Sequence, residues 1–432
     1  MEISNKPTTE KKPKKTKILS QGSYGCIFRP GIACDKKPLS NEHITKLQRK
    51  KTTSENETLI GKIIQKIPNY EDYFAPIVES CEISLTSVDD NEITKCDFIE
   101  KDKEEKLAEL DENPNQNTPL SYEINQIRYV GKYTLIDYFL HTFKTNPKNT
   151  MKNIITTNID LLDSLNKLEN AKIIHFDLKE NNIMIDDKSK RPIIIDFGLS
   201  FDEKSVTLAN PSSPTKSDME KLKKVFFTYG PDYEPWCIDV CIQTYIFKMV
   251  EDPINEKVSS NELYDIIDDF FIKNNIMKDL LTESEKSNYK TELTRFFKIF
   301  ENRPWIEMSQ ELLKNKYSWD NYSLCIIYLY VLKYLSDNNK NPDKKNLQVL
   351  DEYKKIITQQ VISIPSKRLS GIQLKDNLKT IFRNIDRKEH IEMKTKIETI
   401  FKNTQQDISS KIETKQFDEL KREIDIYMKK HQ

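Results

Sequence analysis

His175-Phe176-Asp177-Leu178-Lys179-Glu180-Asn181-Asn182 is the stretch that decides the fold, with Asp196-Phe197-Gly198 beginning fourteen residues after Asn182. Between them lie two β-branched runs, Ile183-Met184-Ile185 and Pro192-Ile193-Ile194-Ile195, separated by a polar turn that opens with Asp186-Asp187. This pattern predicts a hairpin, which brings both polar loops to one mouth. There Asp177 can accept a proton from an attacking hydroxyl, and Lys179 can offset charge on a moving phosphoryl group. Asn182 and Asp196 supply oxygen ligands of the kind magnesium prefers. Two acidic residues, an amide and a lysine at this spacing point to phosphoryl transfer, whereas a lone Asp-Phe-Gly would carry little weight.

The octet and its companion resemble the catalytic and metal-binding loops of eukaryotic-type protein kinases. The resemblance implies an α+β, two-lobed fold with a small β-rich N-lobe and a large helical C-lobe. It implies ATP and Mg2+ between the lobes, and a protein substrate that offers a serine or threonine hydroxyl. Lys179, two residues after Asp177, is the serine/threonine form of the motif. On this reading residues 1–16 are a disordered basic tail, 17–127 the N-lobe and 128–383 the C-lobe. An insertion falls at about 202–315, and 384–432 is a charged helical tail.

Upstream, Ile18 to Phe28 reads as strand–turn–strand. Leu19-Ser20-Gln21-Gly22-Ser23-Tyr24-Gly25-Cys26-Ile27 is a degenerate kinase glycine loop in which Ser20 replaces the first glycine. By resemblance Ser20, Gly22, Gly25 and Ile27 cover the nucleotide. Lys46, in the strand-like Ile44-Thr45-Lys46-Leu47, is the candidate for the α- and β-phosphates, with Lys36, Lys37, Lys50 and Lys51 as competitors. Leu59, Ile60, Ile63, Ile64 and Ile67 keep helical spacing up to Pro68. Ahead of them Glu57, or alternatively Glu55, is the acid expected to pair with the lysine. Residues 86–120 are acidic and aperiodic and read as a solvated loop. Ile124 to Val130 reads as a strand broken by Gly131. Its end resembles the hinge of kinases, with Ile127 guarding a back pocket and Arg128 and Val130 presenting backbone groups to adenine. Helices are expected over Thr134–Phe143 and Ile154–Leu168. The apolar positions Ile155, Ile159, Leu162, Leu165 and Leu168 of the second are core positions.

Downstream, Ser318-Trp319-Asp320-Asn321-Tyr322-Ser323-Leu324 resembles the start of the buried C-lobe helix, yet lies more than a hundred residues past Gly198. Asp320 is expected to hold the catalytic-loop backbone. Tyr233-Glu234-Pro235-Trp236-Cys237-Ile238-Asp239 reads as a divergent Ala-Pro-Glu segment. Asp239 is then expected to pair with Arg368. Phe270, Phe271, Phe296, Phe297 and Phe300 are expected inside.

The whole-chain balance excludes some functions. Lysine plus arginine equals aspartate plus glutamate at 68 each, so no global field favours nucleic acid or a membrane surface. No apolar run reaches the ~20 residues needed to span a bilayer. The seven cysteines form no zinc spacing and read as reduced thiols of an intracellular protein. Abundant Ile, Lys and Asn with only 8 glycines suggest an AT-rich coding sequence. With the long insertion, this resembles the divergent kinases of large nucleocytoplasmic DNA viruses, mimivirus-like and phycodnavirus-like, which implies a host-cytoplasmic location. Virion packaging and oligomeric state stay open. Phe176 stands where regulated kinases carry the arginine that receives an activation-segment phosphate, which implies activity without that switch. Two rival readings are a pseudokinase scaffold and a kinase-fold enzyme acting on a small molecule or lipid.

Overall fold

Alternating residues build the first sheet. The computed structural model describes residues 16–22, 25–34, 41–49, 52–84, 95–102, 104, 121–338, 344–381, 383 and 395. Strands β1 (Lys17–Gly22), β2 (Gly25–Arg29), β3 (His43–Arg49), β5 (Ile77–Ser84) and β6 (Ser121–Arg128) form an antiparallel sheet in the order β1-β2-β3-β6-β5. Side chains alternate faces along a strand, so Cys26, Phe28, Leu47, Tyr122 and Ile124 enter one buried cluster. Ile27 and Lys46 lie opposite each other across β2 and β3, on the other face. That face meets the helix Thr52–Ile64.

A second sheet carries the hairpin. β4 (Phe74–Ala75), β10 (Pro192–Ile195), β9 (Ile183–Ile185) and β7 (Tyr133–Thr134) lie side by side in that order. Pro192 pairs with Ile185, and Ile194 with both Ile183 and Phe74. Asp186 closes the turn, accepting from the amides of Lys188 (3.0 Å) and Ser189 (2.7 Å). Burial works against its charge, yet these donors and Arg128 hold the carboxyl below its ordinary value.

Beyond this sheet the chain is mainly helical. The helix Leu135–Thr145 starts at a capping box in which Thr134 and Asp137 satisfy each other's backbone, worth about 1 kcal/mol. Thr150–Asn170 follows. The helix Tyr317–Asn338 buries Tyr322, Leu324, Cys325, Tyr328, Leu329 and Leu332 on several sides and emerges into solvent only near its end, beginning at Lys333 and Tyr334. Residues 1–378 form one compact unit and 379–432 a second, of which almost nothing falls within the described residues. No helix among the described residues is long and apolar enough to cross a membrane.

Several expectations change. Part of the stretch read as an aperiodic loop is a helical turn at 97–102, with Cys96, Phe98 and Ile99 buried under the first sheet. Asp102 there accepts from the Tyr122 hydroxyl (2.9 Å) and pairs with Arg49. The thiols expected to be reduced are partly paired: Cys26 with Cys96 and Cys34 with Cys81, at Cα separations of 6.2 and 5.9 Å. Sheet pairing and the helical turn bring together cysteines that stand far apart in sequence. Cys237, Cys241 and Cys325 are free and buried. Leu59 is exposed, because the buried stripe of its helix runs through Ile60 and Ile64. Ile159, Phe271 and Phe296 are only half-buried. The basic tail (except Thr16), the lysines at 36, 37, 50 and 51, and most of 384–432 lie outside the described residues.

Candidate active site

The loop 175–182 is held from below. After β8 (Ile173–Ile174) the chain turns through Phe176 at φ 68°, a costly conformation for a residue with a side chain. Asp320 stabilises it by accepting from the amides of His175 (2.8 Å) and Phe176 (2.9 Å). Burial lifts the Asp320 carboxyl above its ordinary range, opposed by His175 and these amides. The Trp236 indole donates to the Phe176 carbonyl at 2.9 Å, while the Phe176 ring packs on Phe201, Phe226 and Trp236. His175 Nε2 donates to the Ile195 carbonyl (3.1 Å), which ties this loop to the one bearing Asp196.

Asp177 therefore has a fixed backbone, and its carboxylate is the hub of the site. Lys179 Nζ lies 3.0 Å from Oδ2. Asn182 Nδ2 donates to the Asp177 carbonyl (2.9 Å) and to Oδ2 (3.1 Å). With its nitrogen committed, Asn182 has its Oδ1 left as a hard ligand. The phenol of Tyr233 donates to Asp177 Oδ1.

Asp196 adopts φ 60° and is half open to solvent, its Oδ1 3.8 Å from Lys46 Nζ. Lys46 Nζ is 3.1 Å from Glu57 Oε2. Of the two candidate acids, Glu57 is buried at this contact and Glu55 faces solvent. Burial alone would lower the Lys46 ammonium, but Glu57 and then Asp196 outweigh it and hold it above its ordinary value. Burial also raises the Glu57 carboxyl, against the pull of Lys46. One carboxylate and one amide oxygen beside a lysine suit magnesium held mainly by phosphate oxygens and water. Among the described residues no three His, Cys, Asp or Glu side chains gather into a metal site of their own.

The β1–β2 hairpin places Ser20 opposite Ile27 and Gly22 opposite Gly25, with residues 23 and 24 outside the described set. Gly25 has a reason other than phosphate: a Cβ there would lie 2.3 Å from the Leu47 carbonyl oxygen of β3. In the stretch expected to act as the hinge, the Val130 carbonyl accepts from the Asp187 amide (3.2 Å). The Arg128 guanidinium braces the same stretch, binding Asp186 (3.1 Å) and the Glu71 carbonyl (2.7 Å).

Tyr233 was missed as a site residue; its one signal was its place in the aromatic Tyr-Glu-Pro-Trp run. Asp239 and Arg368 meet in full burial. Nη2 lies 2.7 Å from Oδ1 outside hydrogen-bonding geometry, and Nη1 donates to Oδ2 at 2.9 Å. The Trp319 indole donates to the same Oδ2 at 2.7 Å.

With this geometry in view, a stretch of 75 residues, 17% of the chain, is 40% identical to a probable serine/threonine-protein kinase, fnkB, of Dictyostelium discoideum. That stretch is kinase-like. It spans 13% of the Dictyostelium protein. No family model matches the chain. A small antiparallel sheet followed by a helical region is compatible with the kinase-like relationship that the stretch supports.

Proposed function

We propose that this chain is a magnesium- and ATP-dependent protein kinase that phosphorylates serine or threonine hydroxyls. The observation that carries the reading is the pair of clusters Asp177–Lys179–Asn182 and Lys46–Glu57–Asp196, on two loops tied by the His175 to Ile195 hydrogen bond. Asp177 orients the acceptor hydroxyl and takes its proton as the oxygen attacks the γ-phosphorus and ADP departs. Lys179 sits where negative charge grows on the transferring group, and Lys46, held protonated, faces the remaining phosphates. Asn182 and Asp196 are the residues that would hold magnesium, which supplies charge neutralisation to the phosphates when bound. The N–H of Val130 and the cover formed by Ser20, Gly22, Gly25 and Ile27 belong to the nucleotide side of the same proposal.

We further propose an affiliation with kinases of large DNA viruses, and a host-cytoplasmic location, supported by the long segment between Gly198 and the helix of Asp320, the Tyr233–Trp236 run and the Ile-, Lys- and Asn-rich composition. The retention of Asp177, Asn182 and Asp196 in one site speaks against the scaffold reading.

The test is transfer of labelled γ-phosphate from ATP to a generic protein substrate. Asp177→Asn is expected to reduce it roughly 100-fold or more, the scale of a lost general base. Transfer unaffected by this substitution, or no transfer to protein at all, would remove the proposal.

A further inference from the structure

A cavity of about 700 Å3 is lined by Lys179 and Tyr233, the two side chains that bond the Asp177 carboxylate. Its walls come from the helix start at Thr134–Asp137, the catalytic loop at Lys179–Asn181, the segment Asp232–Pro235, and one face of the helix 317–338. Ile136, Pro235, Ile326, Ile327 and Tyr330 make an apolar wall. Asp137, Glu180, Asp232 and Glu234 contribute four carboxylates against one ammonium, and that ammonium, Lys179, is already committed to Asp177. The four have only neutral partners or none. Asp137 takes the Thr134 hydroxyl (2.8 Å), and Glu234 takes Asn275 (2.8 Å) and the Tyr330 hydroxyl (3.0 Å). None of them is ion-paired among the described residues.

The Tyr233 phenol shows what this cavity delivers. It sets an alcohol on Asp177 Oδ1, the position an acceptor hydroxyl would take. The local field agrees. Burial, then Asp177 and Glu180 at Tyr233 and Glu234 at Tyr330, hold both phenols above their ordinary value.

We propose that this cavity is the acceptor groove and that it takes an extended protein segment carrying an arginine or lysine beside an apolar residue. The proposal rests on the kinase reading above and names its substrate class. An unneutralised carboxylate rim favours a cationic segment and repels an acidic one, which gives discrimination more than raw affinity. The apolar wall gives the neighbouring side chain a surface to bury.

The experiment compares three serine peptides of equal length on the full chain, flanked by arginine and leucine, by alanine, or by glutamate. The arginine–leucine peptide is expected to be used most efficiently and the glutamate peptide least, with the spread shrinking as salt is raised. In Glu180→Gln, the ratio of arginine-peptide to alanine-peptide efficiency is expected to fall about fivefold, the scale of one partly exposed charge contact. Asp232→Asn, at an exposed side chain without a hydrogen-bond or ion-pair partner among the described residues, gives a second measurement of the same ratio. Equal use of the three peptides, or a ratio untouched by both substitutions, would overturn the groove assignment while leaving the kinase reading standing. Asp177-independent or absent transfer to every peptide would instead overturn the kinase reading.

Discussion

The buried pair Asp239–Arg368 offers the sharpest test of how the catalytic platform is held. Both side chains are fully enclosed, at 0% exposure, and Arg368 Nη1 also lies 3.4 Å from Cys237 Sγ and 3.5 Å from Ser318 Oγ. Removing the arginine leaves a carboxylate in a low-dielectric site with only neutral donors beside it, the Trp319 indole and the Cys237 thiol. A buried pair broken from one side costs about 3–5 kcal/mol, because the surviving charge cannot recover its hydration. Arg368→Met keeps most of the volume and isolates this electrostatic loss. All three tryptophans, 236, 305 and 319, lie within residues 1–378, so urea unfolding followed by tryptophan fluorescence reports that unit.

The expected result is a loss of about 3 kcal/mol or more for Arg368→Met. The exposed pair Lys314–Glu311 is the control, and Lys314→Ala is expected to cost under about 1 kcal/mol. The double variant Arg368→Met/Asp239→Leu removes both charges and is expected to be less destabilised than the two single losses summed. Strict additivity, or a cost for Arg368→Met below about 1 kcal/mol, would refute the view that this pair anchors the platform.

Other consequences are as direct. The Tyr233 phenol competes with an acceptor hydroxyl for Asp177 Oδ1, so Tyr233→Phe is expected to lower the acceptor KM roughly fivefold, the equivalent of about 1 kcal/mol of hydrogen bond. A raised acceptor KM would show that the phenol positions Asp177 instead. Asp218 is held below its ordinary value by the Thr215 hydroxyl and the amides of Ala209 and Thr215. A lowered folded-state pKa means its contribution is present above about pH 4 and lost as pH falls through the folded value. The urea midpoint is therefore expected to drop on that acid limb, and to drop less in Asp218→Asn. Phe176 brings no cation to the catalytic loop, its ring being closed in by Phe201, Phe226 and Trp236, so transfer is expected to survive phosphatase treatment. A loss of activity traced to residues 199–232 would contradict this.

Much of the candidate site was legible because its chemistry is local. The octet at 175–182, the hairpin and Asp196 lie within about twenty residues, and the runs between them are periodic. Lys46 and Glu57 are eleven residues apart on a strand and the next helix; pattern gave the two elements, and the resemblance gave the pairing, with Glu55 left as the alternative. The Arg368–Asp239 pair was legible only through resemblance, since nothing in 129 residues of separation marks the partner. The contacts that escaped are those made by the fold itself. Cys26 meets Cys96 across a separation of 70 because an acidic stretch hides one apolar helical turn. Gly25 reads as a phosphate-loop glycine, yet the carbonyl of Leu47 already forbids a side chain there. Tyr233 reaches Asp177 across 56 residues with no periodic signal at all.

The long segment between Gly198 and Asp320 would be expected to loosen the site, since loop closure over such a span is entropically unfavourable. The structure shows why it need not. The backbone at His175 and Phe176 is fixed by Asp320 and by Trp236, which bracket residues 237–319 of that segment. Those two ends are themselves joined, because Ser323 Oγ donates to the Pro235 carbonyl at 2.6 Å and Trp319 donates to Asp239. The helices between, such as Ser260–Lys273 and Glu283–Phe297, leave and return across this clasp. The clasp leaves the position of Asp177 to short, buried hydrogen bonds, and the helix Glu283–Phe297 supports it from within by setting the buried Tyr289 against Arg368. Weakening the clasp is therefore expected to disturb the loop that carries Asp177, even though the rest of the long segment stays folded.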